Sequence, residues 1–160
     1  MGVIVSHRNE SRFEVLAHAV DMRNKLTELA IRGFGIKNLE RVARRKYIFG
    51  QKKAESVSKY IFLLANHKNR FDFLSAQVVE YTRAANAIYP RSLSECDLRR
   101  EYQDRALVAC EQLVSEMQQI VEVFDVDLNC YKPYVETIDR EIGLIKSWRQ
   151  SDNRLRAALS

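Results

Sequence analysis

The sequence predicts an all-α protein, an up-and-down antiparallel four-helix bundle with a short helical insertion between the first and second bundle helices. Three observations predict it. The 160 residues include five Gly and two Pro, too few for the turns a sheet of this size needs. Apolar residues recur at steps of three and four along most of the chain, the period of one helix face. The longest run of that pattern, residues 94–124, contains neither Gly nor Pro. At this length residues 1–160 form one domain able to bury a core.

The first bundle helix is expected over residues 11–33. Ser11 reads as an N-cap with Glu14 three residues on. Val15, Leu16, Ala19, Met22, Leu26, Leu29 and Ala30 supply the apolar face. Gly33-Phe34-Gly35 then ends the helix, because Gly accepts left-handed backbone at a C-cap. Residues 36–66 form a basic insertion. From Ile36 to Lys53, Lys37, Arg41, Arg44, Arg45, Lys46, Lys52 and Lys53 stand against Glu40, and Leu39, Val42, Ala43 and Tyr47 outline a short helix.

The second bundle helix, residues 69–89, rests on Phe71, Leu74, Val78, Tyr81, Ala85 and Ile88. Val57, Ile61 and Leu64 form a separate stripe before it, and the polar run Asn66-His67-Lys68-Asn69-Arg70 reads as a break between the two. Pro90 stops the helix by disfavouring helical backbone at Tyr89. The third helix, residues 94–124, is the centre of the bundle. Ala106, Cys110, Leu113, Met117, Ile120 and Phe124 make its seam, and Leu107, Val114 and Val121 widen the seam into a face. A face that wide suits a packed bundle. The opposite side carries Glu111, Gln112, Ser115, Glu116, Gln119 and Glu122. Ser94 with Asp97 reads as a capping box. Glu95 with Arg99, and Glu101 with Arg105, have the spacing of helix-surface pairs. In the fourth helix, residues 131–150, Pro133 lies in the first turn. Val135, Ile138, Ile142, Ile145 and Trp148 form its inner face, and Ser151-Asp152-Asn153 loosens the chain before a basic tail.

Several functions find no support in these residues. No apolar run approaches the roughly 20 residues of a membrane span, so no membrane partner is expected. The N-terminal apolar patch is too short for a signal-peptide core, and a cytoplasmic location follows. Cys96, Cys110 and Cys130 are far apart and form no Cys-x-x-Cys, which indicates neither zinc nor a disulfide framework. No Glu-x-x-His pair exists for a di-iron centre, and no Gly-rich phosphate loop occurs. No metal, cofactor or catalytic residue is expected. The carboxylates Glu111, Glu116, Asp139 and Glu141 read as solvated, and His7, His18 and His67 as structural or solvated. Arg12 and His18 have the spacing used by the small helical HEPN nucleases, yet Phe13 stands where those enzymes carry a polar residue.

The basic residues remain. The net charge is +5 and the isoelectric point about 9.2, which permits an anionic partner. Arg41, Arg44, Arg45, Lys46, Lys52 and Lys53 form one cluster. Arg99 and Arg100 begin the central helix, where the helix dipole disfavours cations by some tenths of a kcal/mol. In an antiparallel bundle they share one end with Lys146 and Arg149, near Arg105, Arg154 and Arg156. Such a patch binds phosphates by charge.

Asn86-Ala87-Ile88-Tyr89-Pro90, Tyr102-Gln103-Asp104-Arg105-Ala106, Cys110-Glu111-Gln112-Leu113, Val126-Asp127-Leu128-Asn129, Asp139-Arg140-Glu141-Ile142 and Lys146-Ser147-Trp148-Arg149-Gln150-Ser151-Asp152-Asn153 carry a resemblance. Together with Phe13-Glu14-Val15-Leu16, this pattern resembles the accessory variability determinant proteins of diversity-generating retroelements. Those are relatives of the four-helix-bundle proteins encoded in ribosomal-RNA intervening sequences. The resemblance covers roughly residues 11–33 and 70–153. It implies a non-enzymatic accessory that forms a basic homopentamer. It also implies binding to a reverse transcriptase and its template RNA, in support of mutagenic cDNA synthesis. The alternatives are a bundle that only scaffolds proteins and a HEPN-like ribonuclease.

Overall fold

The computed structural model describes the backbone of residues 3–45 and 53–160 and the side chains of residues 14–44 and 57–160. The chain is all-helical over these residues, with no strand among them. The order is α1 (Val3–Ile31), a 3-10 turn (Gly33–Gly35), α2 (Leu39–Arg45), α3 (Lys53–Ala87), α4 (Leu93–Phe124), a second 3-10 turn (Leu128–Tyr131) and α5 (Lys132–Leu159). Helix α4 packs on α3 and α5, α1 packs on the same two helices, and α2 rests on α3. Along α3 and α4, His67 meets Glu116 while Tyr81 meets Tyr102, so these two run antiparallel. Along α4 and α5, Asp97 meets Arg156 and Gln103 meets Asp152, which makes that pair antiparallel too.

The apolar seam of α4 is buried as expected, from Ala106 through Cys110, Leu113, Met117 and Ile120 to Phe124. It closes over Met22 and Leu26 of α1, Phe71, Leu74 and Val78 of α3, and Ile138 and Ile145 of α5 within one core. Full burial of each large side chain contributes roughly 1.5–3 kcal/mol.

Helix boundaries depart from the sequence expectations in four places. Helix α1 begins at Val3 and not at Ser11; no Gly or Pro between them obliges a later start. Helix α3 runs unbroken through Asn66-His67-Lys68-Asn69-Arg70. That run is tolerated because His67 and Arg70 reach a buried carboxylate on α4. The capping box of α4 is Ser92 with Glu95, two residues before the expected one. The Ser92 hydroxyl accepts from the Glu95 amide at 3.3 Å, and the Glu95 carboxylate accepts from the Arg91 amide at 2.6 Å. Glu95 thus serves the cap and does not pair with Arg99. Helix α5 continues to Leu159, because Asp152 and Asn153 are held by side chains of α4.

The turn after α1 is sharp. Gly33, Phe34 and Gly35 lie in succession at φ 65°, 56° and 75°. Gly accepts this region freely, whereas Phe34 carries a strain of about 1–2 kcal/mol. Burial offsets that cost: Phe34 is 1% exposed and meets the Phe71 ring edge-on at 5.3 Å. The Tyr131 hydroxyl, from the turn between α4 and α5, donates to the Phe34 carbonyl at 2.7 Å. One hydrogen bond therefore ties the two connections at this end of the molecule. Replacing Tyr131 by Phe leaves that carbonyl unsatisfied and is expected to lower stability by about 1–2 kcal/mol. Urea denaturation measures it, and an unchanged midpoint would contradict the assignment.

Candidate functional site

Two ends of the molecule collect basic residues, and their electrostatics differ. At the first, the start of α4 meets the end of α5, as the antiparallel expectation requires. There the arginines are committed to partners. Arg99 is 1% exposed, lies against the Trp148 ring at 4.9 Å, and pairs through Nε with Asp152 at 3.2 Å. Gln103 donates to the same carboxylate at 2.8 Å. Arg100 donates to the Asn153 side chain, Arg149 pairs with Asp104 at 3.0 Å, and Arg156 pairs with Asp97. This is a clasp between α4 and α5, not an open phosphate site. The surface expected from Arg99 is corrected outright, because burial keeps its guanidinium away from solvent. Helix-dipole repulsion of Arg99 is answered by Asp152, a partner contributed from 53 residues away. Lys146 and Arg154 lie exposed on α5, outside the clasp.

The second basic end gathers at α2. Lys37 and Arg41 are exposed, and among the described residues no ion pair holds either side chain. Both line a groove of about 400 Å³ whose far wall includes Asp125 and Asp127. Arg44 is exposed, 3.8 Å from Glu40. Asn38 fixes the start of α2 by accepting from the Arg41 amide at 3.0 Å. Of Arg45 and Lys53 only the helical backbone is described, and Lys46 and Lys52 lie outside the described residues. Arg105 belongs to neither end. It pairs with Glu101 at 2.6 Å, as its spacing predicts, and lies 5.8 and 5.9 Å from the Tyr81 and Tyr102 rings.

Two carboxylates read as solvated are in fact buried. Glu116 is 2% exposed and accepts from His67 Nδ1 at 2.6 Å and from Arg70 Nε at 2.9 Å. Glu141 is 0% exposed and meets His18 Nδ1 at 2.6 Å, while its Oε1 has no hydrogen-bond partner. Burial pushes the Glu141 carboxyl up to about 8. Burial also lowers the His18 pKa, with Arg140 adding to the effect. Both shifts favour the uncharged forms of the pair. Sequence spacing carried no signal for these contacts, since the paired residues lie 49 and 123 positions apart.

His18 is only 10% exposed and engaged by Glu141; the side chain of Arg12 lies outside the described residues. Among the described residues no group of three His, Cys, Asp or Glu is arranged to hold a metal ion. No helix there is long and apolar enough to cross a membrane. No family model, curated protein or solved structure matches the chain.

Two outcomes follow from the buried charges. Asp152→Ala removes the carboxylate that Arg99 and Gln103 share and is expected to cost about 1–3 kcal/mol, read from denaturant midpoints; an unchanged midpoint would contradict a stabilising role for the pair. The second outcome is a pH dependence. Folded Glu141 keeps its proton to about pH 8, whereas the unfolded carboxyl releases it near 4.5. The folded state thus binds more protons in that interval, and raising the pH removes stability. His18 acts in the opposite sense, losing stability as pH falls below 6.5. Between pH 6.5 and 8 only the Glu141 slope remains, worth about 2 kcal/mol at one proton. Glu141→Gln is expected to remove that slope; parallel profiles for parent and variant would contradict it.

Proposed function

We propose that this chain is a non-enzymatic, RNA-binding accessory of the kind found in diversity-generating retroelements. In this reading it is an up-and-down four-helix bundle that assembles as a homopentamer. It binds a reverse transcriptase and the template RNA in the cytoplasm and supports mutagenic cDNA synthesis. The single observation that carries RNA binding is the α2 end, where Lys37 and Arg41 stand exposed and free of ion pairs among the described residues. Cations of that kind release counterions from a phosphate backbone, because no carboxylate already satisfies them. The basic sequence that continues from Arg45 to Lys53 adds to the same segment. The retroelement assignment rests on the resemblance of residues 11–33 and 70–153 to accessory variability determinant proteins.

The clasp at the other end favours a second reading, a bundle that only scaffolds proteins. Its arginines spend their charge on Asp97, Asp104 and Asp152. A HEPN-like nuclease is disfavoured, because the His18 imidazole is engaged by Glu141 and offers little access to a phosphodiester.

Fluorescence anisotropy with single-stranded RNA separates the readings. Affinity is expected to fall steeply between about 50 and about 200 mM salt. Substituting Lys37→Glu and Arg41→Glu together is expected to weaken binding at least tenfold and to reduce the salt slope by about two. Absence of binding at low salt would leave the scaffold reading in place of this one.

A further inference from the structure

The groove of about 400 Å³ beside α2 takes its two signs of charge from different segments. Lys37 precedes α2 and Arg41 lies in its first turn, whereas Asp125 and Asp127 belong to the connection after α4. Ile36, Val42 and Val126, all half-buried, supply an apolar lining. The volume is that of a small-ligand site, about 300–1,000 Å³.

The acidic wall stands where its own helix disfavours it. Phe124, the last residue of α4, lines the groove, so the negative end of the α4 dipole falls there. Carboxylates at that end make a wall of acceptors, which phosphate avoids and an N–H donor seeks. Asp125 holds left-handed backbone at φ 53°. Asp127 is exposed. It accepts from the Asn129 amide at 2.9 Å and from Asn129 Nδ2 at 3.0 Å, both through Oδ1. Among the described residues Asp127 Oδ2 accepts no hydrogen bond, which leaves its lone pairs to donors from outside.

RNA as the ligand is taken from the function proposed above; the groove adds which part of it enters. Phosphate is drawn to Lys37 and Arg41 and repelled by Asp127. A base in a duplex has its Watson–Crick edge already occupied. An unpaired base brings apolar faces to Ile36, Val42 and Val126. Where it carries an exocyclic amino group, it also gives an N–H to a carboxylate. Uracil presents the O4 acceptor at the place where cytosine presents its amino group. We propose that this groove holds one unpaired nucleotide of the RNA, with its phosphate at Lys37 and Arg41 and the amino group of its base at Asp127. The cations then supply affinity, and the carboxylate selects amino-bearing bases over uracil.

The test is anisotropy of the full chain, at low salt, with three single-stranded RNAs of about six nucleotides. One is all cytidine, one all N4,N4-dimethylcytidine, which lacks the N–H donors, and one all uridine. The cytidine RNA is expected to bind at least about threefold more tightly than either of the others. Asp127→Asn separates selection from affinity. Its carbonyl oxygen keeps the bonds to Asn129, and its NH2 group takes the place of Oδ2. That group donates to uracil O4 and finds no acceptor in the cytosine amino group. The variant is expected to bind the uridine RNA at least about threefold more tightly than the parent does. It is also expected to lose the preference for cytidine, with helicity unchanged by circular dichroism. Equal binding of the three RNAs by the parent would overturn the proposal and leave RNA binding in place. So would an equal shift for cytidine and uridine RNAs in Asp127→Asn. Failure of all three to bind would overturn both this assignment and the RNA-binding function on which it rests.

Discussion

The fold depends on polar groups buried along α4. Apolar contact is non-directional. A seam such as Ala106 to Phe124 packs acceptably against a neighbour shifted along it. Arg99 and Glu116 cannot tolerate such a shift. Each is a charged side chain at 1–2% exposure, and a buried charge without its partner costs several kcal/mol. Arg99 finds Asp152 on α5, and Glu116 finds His67 and Arg70 on α3. Sliding either neighbour by one turn, about 5.4 Å, breaks those contacts. The apolar face supplies most of the stabilisation, and the polar residues choose the register in which it is realised.

That constraint reaches the function. Arginines gathered where α4 begins look like a phosphate-binding surface when the sequence is read alone. Holding α5 in register consumes them, together with Asp97, Asp104 and Asp152. The clasp also keeps α5 helical through Ser151-Asp152-Asn153, which carries the exposed Arg154 beyond it. Lys146 and Arg154 lie exposed on α5, while among the described residues Lys37 and Arg41 stand exposed without ion pairs at the opposite end, beside α2. There the Gly33-Phe34-Gly35 turn and the Tyr131 hydrogen bond set where Lys37 and Arg41 emerge.

The helical class was legible because it rests on local signals: the three-and-four spacing, the scarcity of Gly and Pro, and the glycines after α1. The α4 seam was legible for the same reason. Partnership across helices was not. Glu116 sits among Ser115 and Gln119, and its neighbours alone make it a surface residue. Only its approach to His67, 49 residues earlier, shows why it is buried. The polar run Asn66-His67-Lys68-Asn69-Arg70 misled in the same way. It reads as a break until its two long-range contacts are known. Ser94 with Asp97 has the spacing of a cap, whereas the structure caps α4 with Ser92, whose fourth residue is Glu95. Of the candidate interface, the charge run from Lys37 to Arg44 was visible in the sequence. The neutralisation of Arg99, Arg149 and Arg156 was not, because Asp152, Asp104 and Asp97, 45 to 59 residues away, decide it.

The claim that α4 sets register through buried polar pairs is tested most directly by a double-mutant cycle on His67 and Glu116, with His67→Ala, Glu116→Ala and the double variant compared by urea denaturation. A coupling energy above about 1 kcal/mol is predicted, with each single substitution costing more than its share of the double. Additive losses within about 0.5 kcal/mol would mean that the two side chains are buried side by side without holding the helices to one another.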